Sequence, residues 1–125
     1  MRAVNPLARA RGHGSAKHGV RHWWLQRATA LLLIFLTAWL LYAMVSLSGR
    51  SYQEVLVFIS APFNAACAVL FVVTGLYHAM LGMQVVIEDY IHTPALEMFL
   101  QLAIKAACYI GMVLSVIYLL KIITA

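Results

Sequence analysis

With 125 residues, of which 64% are hydrophobic and only 10% charged, this chain has too little polar surface for a soluble domain, where about a quarter of residues are charged. Its composition is that of an integral membrane protein. The net charge of +5 could serve nucleic acid, anionic lipid or topology. An apolar run follows the N-terminal cations at once, so topology is the economical reading and no nucleic-acid partner is expected.

Residues 1–21 form a basic extension carrying Arg2, Arg9, Arg11, Lys17 and Arg21, with no acidic residue before Glu54. Cationic flanks stay on the cytoplasmic side, which predicts a cytoplasmic N-terminus. Residues 22–125 form the membrane part, with membrane lipid as its surroundings.

The first helix is expected over about 23–48. Its apolar run lies between Arg27 and Arg50 and exceeds the roughly 7–15 residues of a signal-peptide core. Trp23 and Trp24 suit an interfacial aromatic belt, and Gly49 suits a helix stop. The second helix is expected over about 55–90, between Glu54 and Glu88. Within it, Ser60-Ala61-Pro62 reads as an N-cap followed by a first-turn proline. Either a helix starts near Pro62 or a longer one kinks there. The third is expected over about 96–122, set off by Thr93-Pro94 because proline disfavours helix in the residue before it. Lys105 interrupts this run and reaches the near interface by snorkelling. Cys67 and Cys108 fall inside apolar runs and read as packing residues. The fold class is thus an all-α membrane protein with three transmembrane helices and a periplasmic C-terminus.

His78 stands in the middle of the second span. An imidazole in hydrocarbon is costly unless its nitrogens are used. Two readings stand: a haem iron ligand, or a neutral histidine bonded to a neighbouring helix. Gly75 and Gly82 lie on the same side and admit either a flat ring system or a close helix. Iron would need a second axial ligand from another chain, because His13, His18, His22 and His92 lie at or beyond the cytoplasmic interface.

Tyr90 follows His78 by about 18 Å along the helix axis, with Asp89 beside it. A phenol donates a hydrogen bond to a quinone carbonyl and a carboxyl relays protons. An aromatic-belt tyrosine and a solvated helix end are the plain alternatives. Arg27 suits a haem propionate, a quinone or a snorkelling topology charge. His18 and His22 are four apart, which suits a polar surface against a partner subunit better than a metal pair.

Together these residues carry a resemblance. Gly14-Ser15-Ala16 and His22-Trp23-Trp24-Leu25-Gln26-Arg27-Ala28-Thr29-Ala30, with Tyr77-His78-Ala79-Met80-Leu81-Gly82 continuing to Glu88-Asp89-Tyr90, resemble the hydrophobic membrane-anchor subunit of succinate dehydrogenase, respiratory complex II, of the alphaproteobacterial and mitochondrial type. The resemblance implies that His78 is one axial ligand of haem b, that Tyr90 contacts ubiquinone with Asp89 lining the same region, and that Arg27 lies near the haem and quinone pocket. It further implies a flavoprotein subunit, an iron–sulfur subunit and a cytochrome b556 anchor subunit that supplies the second haem ligand. The chain would then be a subunit that is not catalytic alone, in the bacterial inner membrane or the mitochondrial inner membrane. A structural three-helix subunit of a terminal quinol oxidase is the alternative.

Overall fold

The computed structural model describes residues 17–124; Gly14-Ser15-Ala16, His13 and the cations Arg2, Arg9 and Arg11 lie outside them. The described chain is all-helical: α1 spans Lys17–Leu47, α2 Tyr52–Ser60, α3 Pro62–Tyr90 and α4 Pro94–Thr124. Three stretches, Gly19–Leu47, Pro62–Tyr90 and Pro94–Thr124, are long and apolar enough to cross a membrane. Each runs to 29 or 31 residues, beyond the about 20 that a crossing needs, so helix ends project past the hydrocarbon. A helix is the only open-ended structure that satisfies its backbone amides in lipid.

α1 begins at Lys17, inside the stretch expected as an extension, so Trp23 and Trp24 lie on a continuous helix rather than at its start. Their rings meet edge to face at 5.0 Å, and the Arg27 guanidinium lies 5.6 Å from the Trp23 ring centroid. α1 ends before Gly49, whose φ of 75° is the left-handed conformation that glycine reaches without a Cβ clash.

Around Pro62 the chain takes the separate-helix arrangement. Ala61 is extended, with φ −61° and ψ 130°, and it divides α2 from α3. Ala61, not Ser60, is the N-cap of α3, and it has no side-chain cap bond. The Ser60 hydroxyl instead donates back to the Leu56 carbonyl at 2.7 Å, because Ser60 closes α2. Pro62 opens α3 where its missing N–H is harmless. α2 has its own start: Ser51 and Glu54 form a reciprocal capping box.

α3 is the central helix and packs on both α1 and α4. Met80, Cys108 and Met112 make the buried cluster between α3 and α4, with Val73, Leu76, Tyr77 and Ile104 against it. Cys67 and Cys108 are both free thiols. Much of α1 and α4 is unpacked: Phe35 is 73% exposed and Val45 79%, surfaces suited to lipid or to further helices.

Candidate functional site

His78 is half-buried on α3 where that helix crosses α1. Its Nδ1 lies 2.8 Å from the Thr29 Oγ1. The Thr29 hydroxyl also reaches two carbonyls of its own helix, Leu25 at 2.7 Å and Gln26 at 3.1 Å. Back-bonding of this kind is the usual resting place of a threonine hydroxyl in a helix.

His78 also lines an open groove of about 450 Å³ whose other walls are Ala30, Leu33, Ile34, Thr37, Ala38 and Leu41 from α1. These walls are apolar apart from Thr37. They offer no second nitrogen or sulfur ligand, so the donor set is one imidazole. A haem fits this surface if a neighbouring chain closes it and completes the iron.

One helical turn away, on both helices, lies a second pocket of about 530 Å³. It is lined by Gly19, His22, Trp23, Gln26, Arg27, Gly82 and Val85. Here the His22 Nε2 and Gln26 Oε1 are buried with no hydrogen-bond partner among the described residues. Orphaned buried polar atoms of this kind mark a missing ligand or a missing partner group. The wall beside His78 is thus apolar, and the pocket one turn along is polar, with Arg27 in its lining. From sequence, His22 reads as a surface residue and Gln26 carries no signal of its own. His18 lies on α1, with its side chain outside the described part.

Gly75 and Gly82 lie where α3 crosses α1, and Gly82 also lines the polar pocket. A Cβ at Gly75 would meet Leu33 at 4.0 Å, and one at Gly82 would meet the Gln26 amide at 3.7 Å. Both glycines let α1 side chains come close, and Gly82 in addition forms part of a pocket wall.

Tyr90 and Asp89 lie apart from His78 and Arg27. Tyr90 is 76% exposed and borders an apolar groove of about 440 Å³ between α3 and α4, with Met83, Val86, Ile87, Leu100 and Ile104 among its walls. Asp89 is exposed. Its neighbour Glu88 accepts a hydrogen bond from the Gln101 amide at 3.3 Å. The expected site residues thus fall on separate surfaces: His78 and Arg27 on the α1–α3 side, Tyr90 on the α3–α4 side.

Three long apolar helices, with a mid-span histidine bonded between two of them, define an integral membrane chain. Residues 1–118 match the family described as succinate dehydrogenase/fumarate reductase transmembrane subunit, and the chain belongs to that family. It is similar to the succinate dehydrogenase hydrophobic membrane anchor subunits of three bacteria. With that of Rickettsia bellii it shares 42% identity over 79% of each chain. With that of Rickettsia conorii it shares 37% over 90% of each. With that of Paracoccus denitrificans it shares 33% over 72% of this chain and 70% of the relative. Family membership decides between the two classes left by the sequence in favour of the dehydrogenase anchor, a multi-pass protein of the inner membrane.

Proposed function

We propose that this chain anchors a succinate:quinone oxidoreductase to the membrane and contributes one axial ligand of a shared haem b, His78, together with part of a ubiquinone-reduction site. The observation that carries the haem reading is the His78 ring. It is tied to Thr29 through Nδ1, it forms part of an apolar groove wall, and it has Nε2 left for a metal. When bound, the haem supplies a one-electron relay at mid-membrane depth. Arg27 would pair with its charged edge at the polar mouth one turn along, with His22 beside it.

Tyr90 would donate a hydrogen bond from its phenol to a quinone carbonyl, and Asp89 would pass protons from the aqueous side. The exposure of both residues supports a site completed by other chains. These chains are a flavoprotein, an iron–sulfur subunit that delivers electrons, and a cytochrome b556 anchor subunit that brings the second haem ligand. Arg21 and Arg27 at the start of the first span favour a cytoplasmic N-terminus, which puts Asp89 and Tyr90 on the same face and the C-terminus outside.

The test is the reduced-minus-oxidised spectrum of the assembled complex carrying His78→Ala. Loss of the haem b band is the expected result. An unchanged spectrum and haem content would overturn ligation.

A further inference from the structure

The Thr29 hydroxyl has one proton and three oxygen or nitrogen acceptors within reach: the Leu25 carbonyl at 2.7 Å, the Gln26 carbonyl at 3.1 Å and the His78 Nδ1 at 2.8 Å. Two of these lie on its own helix turn and hold the hydroxyl in one rotamer. With the proton given to them, the remaining lone pairs on Oγ1 face the imidazole. The bond to His78 then needs Nδ1 to carry the ring proton and donate it. A neutral imidazole with Nδ1–H has its lone pair on Nε2. The opposite arrangement would put an N–H on Nε2 beside walls that are apolar except for Thr37, and no Thr37–His78 hydrogen bond is present among the described residues.

We infer that Thr29 is the positioning residue for His78: it fixes the Nδ1–H tautomer and the angle of the imidazole plane, so that Nε2 is presented to iron already oriented. This rests on the reading of His78 as a haem ligand. Metal-bound histidines generally donate their second nitrogen's proton to an outer partner that sets tautomer, orientation and basicity. Here the partner is a neutral hydroxyl whose own proton is committed to its helix. It therefore orients the ring without drawing the Nδ1 proton away, as a carboxylate would. Because Thr29 sits on α1 and His78 on α3, the bond also couples ligand geometry to the α1–α3 crossing.

The experiment uses the whole complex in its membrane with Thr29→Val, which keeps the shape of the side chain and removes the hydroxyl. Thr29→Ser restores the hydroxyl, and His78→Ala is run alongside. The readouts are haem per complex, the low-spin ferric electron paramagnetic resonance spectrum and the haem midpoint potential.

For Thr29→Val we expect shifted g values as the imidazole plane turns, a higher midpoint potential as the ligand becomes less basic, and haem affinity lower by about 10-fold, the lower end for loss of such a partner. Thr29→Ser should return all three toward wild type. If Thr29→Val prevents assembly, Thr29→Ala replaces it with the same expectations. A Thr29→Val or Thr29→Ala complex with wild-type spectrum, potential and haem content, while His78→Ala loses its haem, would overturn the positioning role alone. Retention of haem by His78→Ala would overturn the ligation reading and this inference with it.

Discussion

The Trp39 indole N–H donates to the Asn64 Oδ1 at 3.1 Å, and this contact pins α1 to the first turn of α3. The other end of the Asn64 amide donates to the Phe58 carbonyl at 2.9 Å. That carbonyl sits four residues before Pro62, which has no N–H to give it. One side chain therefore satisfies an indole and the carbonyl orphaned by the helix break. Asn64→Leu leaves both groups unpaired. Unmet groups in a protein interior cost about 1–3 kcal/mol each, whereas polar pairs between membrane helices average about 0.6 kcal/mol. Asn64 is half-buried, so the expected loss is about 1–2 kcal/mol, between those two scales. Trp39→Phe should cost less, because it leaves the Phe58 carbonyl paired. Thermal unfolding of the detergent-solubilised complex measures both. Equal losses would mean that the Phe58 bond contributes nothing.

Close packing of α3 on α4 makes a second prediction. A Cβ at Gly111 would lie 3.6 Å from the Leu76 Cδ1, an ordinary contact, beside the Met80–Cys108–Met112 cluster. Gly111→Ala therefore fits, and its better helix propensity is worth up to about 1 kcal/mol. Gly111→Leu has no such room and should destabilise the complex by about 1–3 kcal/mol through overpacking. The expected order of unfolding temperatures is alanine at or above wild type and leucine below it. A leucine variant as stable as wild type would show that the two helices part there without cost.

The three spans could be read from the sequence because lipid leaves the backbone no other choice, and a run without charges is visible by eye. His78 stood out for the complementary reason, as a polar ring where hydrocarbon gives it nothing. Its partner could not be read. Thr29 lies in another helix, and no local period links positions so far apart; only the crossing of α1 over α3 brings them to 2.8 Å. The orphaned His22 and Gln26 atoms were hidden in the same way. α2 was different. Ser51-Tyr52-Gln53-Glu54 carries the S-x-x-E capping box in plain sight, but the uncharged run after it left open a helix starting near Pro62 or a longer one kinked there. The glycines near His78 pointed to close approach without saying what approaches; side chains of α1 reach both, and Gly82 also borders the polar pocket.

The α2 capping box also makes the cap sensitive to acid. The Glu54 carboxyl is held below its ordinary value of 4.5 by the Ser51 backbone N–H first, then by the Ser51 hydroxyl and the Arg50 guanidinium. Its Oε2 accepts from the Ser51 N–H at 2.9 Å, and its Oε1 pairs with Arg50 at 2.9 Å. A carboxyl whose folded value is depressed stabilises the fold above its unfolded value and loses that contribution as pH falls through the folded one. The cap is therefore intact at neutral pH and fails below 4.5. Protection of the Tyr52–Ser60 amides from hydrogen exchange, taken relative to the intrinsic rate at each pH, should fall in that acid range in the wild type. In Glu54→Gln the protection should be lower already at neutral pH and should lack the acid step. A wild-type acid step surviving in Glu54→Gln would place the titrating group elsewhere.

Tyr90 offers the cleanest separation of chemistry from structure. It is 76% exposed at the last turn of α3, and its hydroxyl has no hydrogen-bond partner among the described residues. Removing that oxygen therefore disturbs nothing inside the chain, and Tyr90→Phe should unfold at the wild-type temperature and assemble at the wild-type level. Any loss in quinone reduction then belongs to the quinone itself. One hydrogen bond from a phenol to a carbonyl is worth about 0.5–1.5 kcal/mol net, which corresponds to about a 2- to 12-fold loss in kcat/KM for ubiquinone. Succinate oxidation measured with an artificial acceptor that draws electrons before the membrane should be untouched. Steady-state assays with both acceptors on one preparation give the comparison. Wild-type kcat/KM for quinone in Tyr90→Phe would remove the phenol from the site and leave Tyr90 an aromatic residue of the membrane interface.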